Sequence, residues 1–406
     1  MWTQGKMMLH LFLLLAFYVW WDSFGIIVLP LILYALLLIV PMPIGHWNLE
    51  TRMQVRSVII IYIVILTFPL LALWIAFRCN MYIKTVFFIY IACYMFFDDA
   101  PQCGKRFLPT LRRRRFWRHF ASYFPIKLTR TAELDPAKNY LFGYHPHGII
   151  SMGALCNFAT NATGFEELFP GVDIRLLTLA MNFKVPFFRE FLLGLGINDA
   201  SGDSCRRNLT RGRGSSIMLV VGGARESLET KPGHLDVVLQ KRKGFVKMAL
   251  RTGASLVPVM SFGENDVFGI YSNNTMFKWQ VKMQKKLGFA VPMFYGKALA
   301  GGLLHRVFGM DVGVMPLRVP IHSVVGRPIH VEKDEKPSQE SIDKVHQQYM
   351  DELKRITDEY RETYEKERTE ALEKCTDAQR LQSLEMQKKS FNTNDYHVDQ
   401  LCMVDS

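Results

Sequence analysis

The chain has 406 residues, 49% of them hydrophobic, and a formal net charge of +12. That length supports a sizeable core, and the basic balance suits nucleic acid or an anionic membrane surface. No zinc-finger spacing, aromatic–basic RNA motif or basic heptad region accompanies it, so no nucleic-acid partner is expected.

The apolar residues crowd into the first hundred positions, which are expected to form a membrane region over 1–100. An apolar segment at 7–40 is broken by Asp22, Gly25 and Pro30. It is too long for one span and too short for two, and lacks the small-residue site of a cleaved signal peptide. Val58–Phe77 and Met81–Phe97 follow, separated by Arg78-Cys79-Asn80. A span needs about 20 apolar residues, so 58–97 reads as a helical hairpin. Lys105, Arg106, Arg112 to Arg115 and Arg118 come next, and Arg52 and Arg56 precede the hairpin. The positive-inside rule places both ends in the cytosol. The basic run could also attract anionic headgroups. Seven scattered cysteines (Cys79, Cys93, Cys103, Cys156, Cys205, Cys375 and Cys402) include no C-x-x-C pair. They fit reduced thiols better than a disulfide framework or a structural zinc site.

A cytosolic domain is expected over 101–336. Candidate strands are Tyr140–Tyr144, Ile217–Val221, Leu256–Ser261 and Ser323–Val325 with Ile329–Val331. Between the second and third, Phe245, Met248, Ala249 and Thr252 share a helical face, and Gly253 is a natural stop. Strand, helix and strand at this spacing predict an α/β domain with a mixed or mostly parallel sheet. Segment 181–197 is apolar but carries Lys184, Arg189 and Glu190; too polar to span, it reads as a core helix or as a helix on the bilayer surface, the core being preferred. Over 337–406, Ile342, Val345, Tyr349, Leu353, Ile356, Tyr360 and Tyr364 recur at steps of three and four. They predict a long amphipathic helix ahead of a charged, disordered tail.

Three groups of residues could carry chemistry. His145-Pro146-His147-Gly148 ends the first strand, at the sheet edge where α/β proteins gather their ligands. A general base, a metal ligand and a structural cap are all open to these imidazoles. No third ligand supports a metal. Gly222-Gly223 ends the second strand, where exposed backbone N–H groups could hold an oxyanion, and Glu226 follows. Arg206, Arg207, Lys241, Arg242 and Lys243 would suit a polyphosphate handle.

YFPIKL at 123–128, FGYHPHG at 142–148, VVGGARES at 220–227 and KGFVKMALRTGASLVPVMSFGEND at 243–266 together resemble the type 2 diacylglycerol acyltransferases and their monoacylglycerol acyltransferase relatives. The likeness runs from about position 58 to 360 and includes the hairpin. It implies a glycerophospholipid-acyltransferase-like domain in an endoplasmic reticulum membrane enzyme, facing the cytosol, with lipid droplets as a second expected location. Such an enzyme moves a fatty acyl group from acyl-CoA to the hydroxyl of diacylglycerol, with monoacylglycerol, a long-chain alcohol or retinol as other acceptors in the family. Acyl-CoA is a substrate, and no cofactor or metal is expected. By the resemblance His145, His147 and Glu226 are catalytic, with His145 as the expected base and Gly148, Gly222 and Gly223 as backbone support. The wider superfamily's His-x-x-x-x-Asp pattern is not met, since Ile150 and Met152 stand five residues after the two histidines. Glu226 is therefore the expected acid partner. The rival of another class is a non-catalytic hairpin protein of lipid droplets. Self-association is left open.

Overall fold

Four apolar runs separated by helical stretches resolve, in a computed structural model, into the middle of a seven-stranded sheet. The structure describes residues 48–270, 274–287, 293–297, 312–313 and 315–373. The segment at 7–40, the expected tail beyond 373, Cys375 and Cys402 lie outside the described residues. The described residues fall into two compact units, one of 48–99 with Met181–Leu192 and the other of Ala100–Ala180 with 193–373.

In the first unit, α1 (Leu49–Arg78) is the one described helix long and apolar enough to cross a membrane, with mean hydropathy 2.8. α2 (Met81–Phe97) is apolar but has 17 residues. Asn48 caps α1 by accepting from the Thr51 N–H at 2.8 Å, and Asn80 caps α2 by accepting from Ile83 at 3.0 Å, so each start is written as an asparagine. Leu66, Leu73, Phe77, Tyr82, Val86 and Phe96 are exposed. An apolar surface of this extent suits a lipid environment.

Segment 181–192 belongs with these helices and not with the sheet's core, contrary to the expectation for 181–197. The Phe187 ring stacks on Phe87 and Tyr90, with centroids 6.0 and 5.9 Å apart. Arg189 is buried, and its guanidinium meets Asp98 at 2.7 Å and Glu190 at 2.5 Å over the Tyr94 ring. A charge taken out of water needs such partners, and Asp98 lies far away in sequence.

The second unit contains the sheet. Its strands are β1 (Lys127–Arg130), β2 (Tyr140–His145), β3 (Asp173–Thr178), β4 (Asn198–Asp199), β5 (Ser215–Val220), β6 (Ser255–Phe262) and β7 (His322–Val325). Their spatial order is β1-β7-β6-β2-β5-β3-β4. β6, β2, β5, β3 and β4 run parallel, while β7 pairs antiparallel with β6 and parallel with β1. The sheet is therefore mixed, and β2 lies between two parallel neighbours. Ile329–Val331 does not form a strand; Ile329 contributes one isolated bridge, to Leu256.

Helices cover both faces, as a parallel sheet requires. Along β2, Tyr140, Phe142 and Tyr144 point one way, toward α4 (Met152–Ala159), against which α3 (Arg115–Tyr123) packs; there Phe142 packs with Phe158, Phe165 and Phe169. Leu141, Gly143 and His145 point the other way. That face packs with α5 (Gly202–Leu209), α7 (Gly244–Thr252) and α8 (Gln339–Glu373), with α6 (Gly223–Glu229) lying between α5 and α7 in the chain. α7 stops where Gly253 turns left-handed at φ +72° and its N–H returns to the Ala249 carbonyl at 2.8 Å. The apolar stripe of α8 is buried at Ile342, Tyr349, Leu353, Ile356 and Tyr364.

Arg112 departs from the reading that placed it with the membrane-facing basic run. It is buried and donates to the carbonyls of Leu195, Phe158 and Ile174 at 2.9, 3.1 and 3.1 Å. Arg113, Arg114, Arg115 and Arg118 are exposed.

Ile356 is fully enclosed in the α8–sheet core, so Ile356→Ala should destabilise the second unit by about 2–5 kcal/mol. Thermal unfolding of the detergent-solubilised chain checks this; an unchanged midpoint contradicts the packing of α8.

Candidate active site

The parallel strands end together, and their C-terminal edge is where the chemistry-bearing residues collect. β2 ends at His145, and the cis His145–Pro146 peptide leads into the loop that carries His147. β5 on one side runs into Gly222, Gly223 and α6 with Glu226. β6 on the other side runs into Gly263 and Glu264. His145, His147, Gly148, Gly222, Gly223 and Glu226 thus share one edge of the sheet.

The two histidines occupy different environments. His145 is fully buried on the α7–α8 face. Its Nε2 lies 2.9 Å from the Tyr349 hydroxyl, which in turn lies 3.1 Å from the Gly143 carbonyl. A carbonyl only accepts, so the tyrosine proton points to Gly143 and the imidazole Nε2–H donates to the tyrosine oxygen. His145 Nδ1 is left as a buried acceptor without a partner. Burial lowers the imidazole pKa to about 3, so the ring is neutral.

His147 is half-buried. Its Nδ1 lies 2.9 Å from the Gly148 carbonyl. By the same logic Nδ1 carries the proton, and Nε2 presents a lone pair. Burial pushes this imidazole below its ordinary pKa, against the opposing pull of the Gly148 carbonyl. The loop around it is tightly bonded. Ser151 donates to the His147 carbonyl at 2.7 Å, and Gly148 adopts φ +60°. A Cβ on Gly148 would come within 2.8 Å of Glu264 Cγ and 3.0 Å of the Glu264 carbonyl oxygen, so both backbone conformation and space call for glycine here.

Glu226 was expected to pair with a histidine ring. The carboxyl instead holds main chain: Oε1 accepts from the His147 N–H at 2.5 Å and Oε2 from the Val238 N–H at 3.0 Å. Burial raises its pKa to about 7, while the two N–H donors and the nearby Arg242 favour the charged form. Gly222 has no room for a side chain because a Cβ would run into the Glu226 carboxyl; Gly223, at φ +63°, has open space beside it.

The basic residues divide. Arg206 and Arg207 lie on the last turn of α5, which packs against α7. Lys241 and Arg242 are exposed in the turn before α7. Lys243 is bound to Asp343 of α8 at 2.7 Å. No group of three or more His, Cys, Asp or Glu side chains suited to a metal occurs among the described residues.

A family model described as diacylglycerol acyltransferase matches residues 76–374. This chain belongs to the diacylglycerol acyltransferase family. Diacylglycerol O-acyltransferase 2A of Umbelopsis ramanniana is 45% identical over 291 residues, covering 70% of this chain and 80% of that protein. Human diacylglycerol O-acyltransferase 2 is 43% identical, covering 70% of this chain and 73% of the relative. Human 2-acylglycerol O-acyltransferase 1 is 38% identical, covering 78% and 94%. The family motifs quoted above all fall within the matched span.

Two buried groups at this edge escaped the sequence reading. Tyr349 lies on the apolar stripe of α8, and nothing local marks its hydroxyl as a partner for His145. Glu264 was more legible, because an acid one residue past a buried, mostly apolar strand invites the argument that singled out His145.

Glutamine at 226 would present an NH2 group to one of the two N–H donors and lose that bond. Glu226→Gln should lower kcat by about 10²-fold through misplacement of His147, with little change in KM for acyl-CoA. Steady-state kinetics with both substrates varied checks it; a change confined to KM contradicts the assignment.

Proposed function

We propose that this chain is a membrane-bound O-acyltransferase that moves a fatty acyl group from acyl-CoA to the free hydroxyl of diacylglycerol, forming triacylglycerol and coenzyme A. Membership of the diacylglycerol acyltransferase family supports the reaction class. The observation that carries the chemistry is the His147 imidazole, half-exposed and neutral, with Nδ1–H committed to Gly148 and a lone pair on Nε2.

In this reading His147 Nε2 takes the proton of the acceptor hydroxyl as its oxygen attacks the thioester carbonyl. The tetrahedral oxyanion is held by backbone N–H groups at Gly222, Gly223 or Gly148. The C–S bond then breaks, and the imidazolium returns its proton to the departing thiolate. The thioester is already activated, so the reaction needs neither a covalent intermediate nor a metal. The proton transfer moves here from His145 to His147, because the free nitrogen of His145 is sealed from solvent and that of His147 is not. Glu226 acts through the backbone of His147 as a positioning residue. Arg206, Arg207, Lys241, Arg242 and Lys243 are assigned to the coenzyme A phosphates.

The uncovered apolar face of α1 and the basic flank at Arg113–Arg115 support a membrane enzyme of the endoplasmic reticulum with its catalytic unit in the cytosol. We read that unit as a glycerophospholipid-acyltransferase-like domain. Similarity to human 2-acylglycerol O-acyltransferase 1 supports monoacylglycerol as a second acceptor.

Microsomes carrying the chain should incorporate labelled acyl groups from acyl-CoA into triacylglycerol when offered diacylglycerol. With several acceptors supplied side by side, diacylglycerol should be preferred, and no incorporation into any acceptor would leave the non-catalytic hairpin reading. His147→Ala should reduce turnover by about 10²–10⁴-fold at an unchanged melting temperature. His145→Ala should lower the melting temperature as well, because it empties a fully buried site. The base must be neutral to act, and burial lowers its pKa. Protonation of Glu226, whose pKa burial raises to about 7, frees one backbone N–H as glutamine does, so the parent carries an acid limb near pH 7. In Glu226→Gln that limb is gone, and the remaining acid limb of kcat/KM should fall below the ordinary imidazole value of 6.5; a remaining limb at or above pH 7 would remove His147 from this role.

A further inference from the structure

The loop that carries His147 rests on a second carboxyl, which lies inside the stretch 243–266 but received no role from the sequence. Glu264 follows β6 and is almost fully buried. Its Oε2 accepts from the Tyr144 hydroxyl at 2.6 Å and from the Gly153 N–H at 2.9 Å. Gly153 lies in the first turn of α4, whose leading N–H groups need acceptors from outside the helix. The residue at the cap position, Ser151, does not supply one. It sits in the left-handed region at φ 51°, and its hydroxyl donates to the His147 carbonyl instead. The cap of α4 comes from Glu264, more than a hundred residues away. Between the cap and the base, Gly148 lies against the Glu264 side chain and backbone.

Behind Glu264 the contact is stiffened. Tyr144 also reaches Ser261 at 2.7 Å, Ser261 reaches Ser323 at 2.9 Å, and Asn157 of α4 donates to Ser323 at 2.9 Å. These groups are all buried, so the hydrogen bonds act in a low-dielectric interior where a missing partner is costly. The loop 146–151 is thus held between Glu226, which follows β5, and Glu264, which follows β6.

We infer that Glu264 is a positioning residue for acyl transfer, which holds the start of α4 and the turn at Gly148 so that His147 Nε2 faces the acceptor hydroxyl. The inference rests on the assignment of His147 as the base. Its requirement is for an acceptor oxygen at the Oε2 position. A glutamine can supply one to Gly153 and Tyr144, whereas alanine cannot.

The test uses the full chain in microsomes, with kinetics of Glu264→Ala and Glu264→Gln. It also uses the rate at which diethyl pyrocarbonate modifies His147, mapped by mass spectrometry. Glu264→Ala should lose about 10²-fold in kcat, the scale of a small misplacement of a reacting group, with KM for acyl-CoA unchanged. Its His147 should be modified several-fold faster, while the enclosed His145 stays as slow as in the parent. Glu264→Gln should restore both readouts to near the parent values. Parent-like kinetics and reactivity in Glu264→Ala would overturn the inference, as would a glutamine variant as impaired as the alanine one. If His147→Ala keeps its activity while Glu264→Ala still alters His147 reactivity, the assignment of the base fails and the positioning role stands. Should Glu264→Ala not accumulate, Tyr144→Phe removes one donor to the same oxygen. It should lower kcat several-fold and speed His147 modification; parent-like values for both would overturn the inference.

Discussion

The bond from the His147 main-chain N–H to the Glu226 carboxyl, at 2.5 Å, is the constraint on which the site geometry depends. It ties the loop after β2 to the helix after β5, and the second oxygen of the same carboxyl ties in Val238. Leaving water raises the carboxyl's pKa, while two backbone donors and Arg242 oppose that shift. The position of the imidazole is therefore set through its backbone, leaving the ring free to use its own nitrogens. An acid can thus serve this edge without touching a histidine ring and without a fixed spacing from either histidine. Space for the arrangement comes from Gly222, where any side chain would displace the carboxyl.

The C-terminal helix extends the same logic from the other side of the sheet. α8 is amphipathic, and burial of its apolar stripe is what holds it on the α7 face. That packing delivers Tyr349 onto β2 at Gly143, a position that cannot carry a side chain because the tyrosine ring occupies the space. Once seated, the hydroxyl has one proton and two neighbours, the Gly143 carbonyl and His145. The hydrogen-bond inventory then fixes the tautomer of His145 without any charged group. Further along α8, Tyr364 and Arg368 reach Asp266, two residues beyond Glu264. The helix is thus part of the framework of that edge of the sheet.

The sequence made the central strands legible because they are buried on both faces and read as apolar runs. β2, β5, β6 and β7 fall within two residues of the expected limits. β3 was hidden by its own charges, since Asp173 and Arg175 pair with each other and so allow Arg175 to be buried. β1 is a short edge strand with a basic residue at each end, which resembles a solvated turn. Segment 181–197 misled because its apolar residues read as the face of a core helix, whereas Phe187 stacks on Phe87 and Tyr90 and Arg189 pairs with Asp98. HPHG and Glu226 were legible as chemistry, because histidines and an acid at strand ends have few structural uses. Their relation was not, because a side chain that bonds to backbone leaves no trace in residue identity.

The division between the two histidines follows from the pleat of β2. Alternation sends Tyr140, Phe142 and Tyr144 to the α4 face and Leu141, Gly143 and His145 to the α8 face. The last strand residue therefore faces the core, and its ring is sealed there. A buried acceptor without a partner costs about 1–3 kcal/mol, and His145 Nδ1 is such an acceptor. A sealed nitrogen cannot receive a proton from a lipid hydroxyl unless the core opens. Two residues later the chain has left the ladder, and the next imidazole stands at the rim with its tautomer set by Gly148. Both histidines belong to one motif, yet the geometry gives them separate work. His145 locks the end of β2 to α8 through Tyr349. His147, carried on a loop between two buried carboxyls, keeps its second nitrogen out of the core.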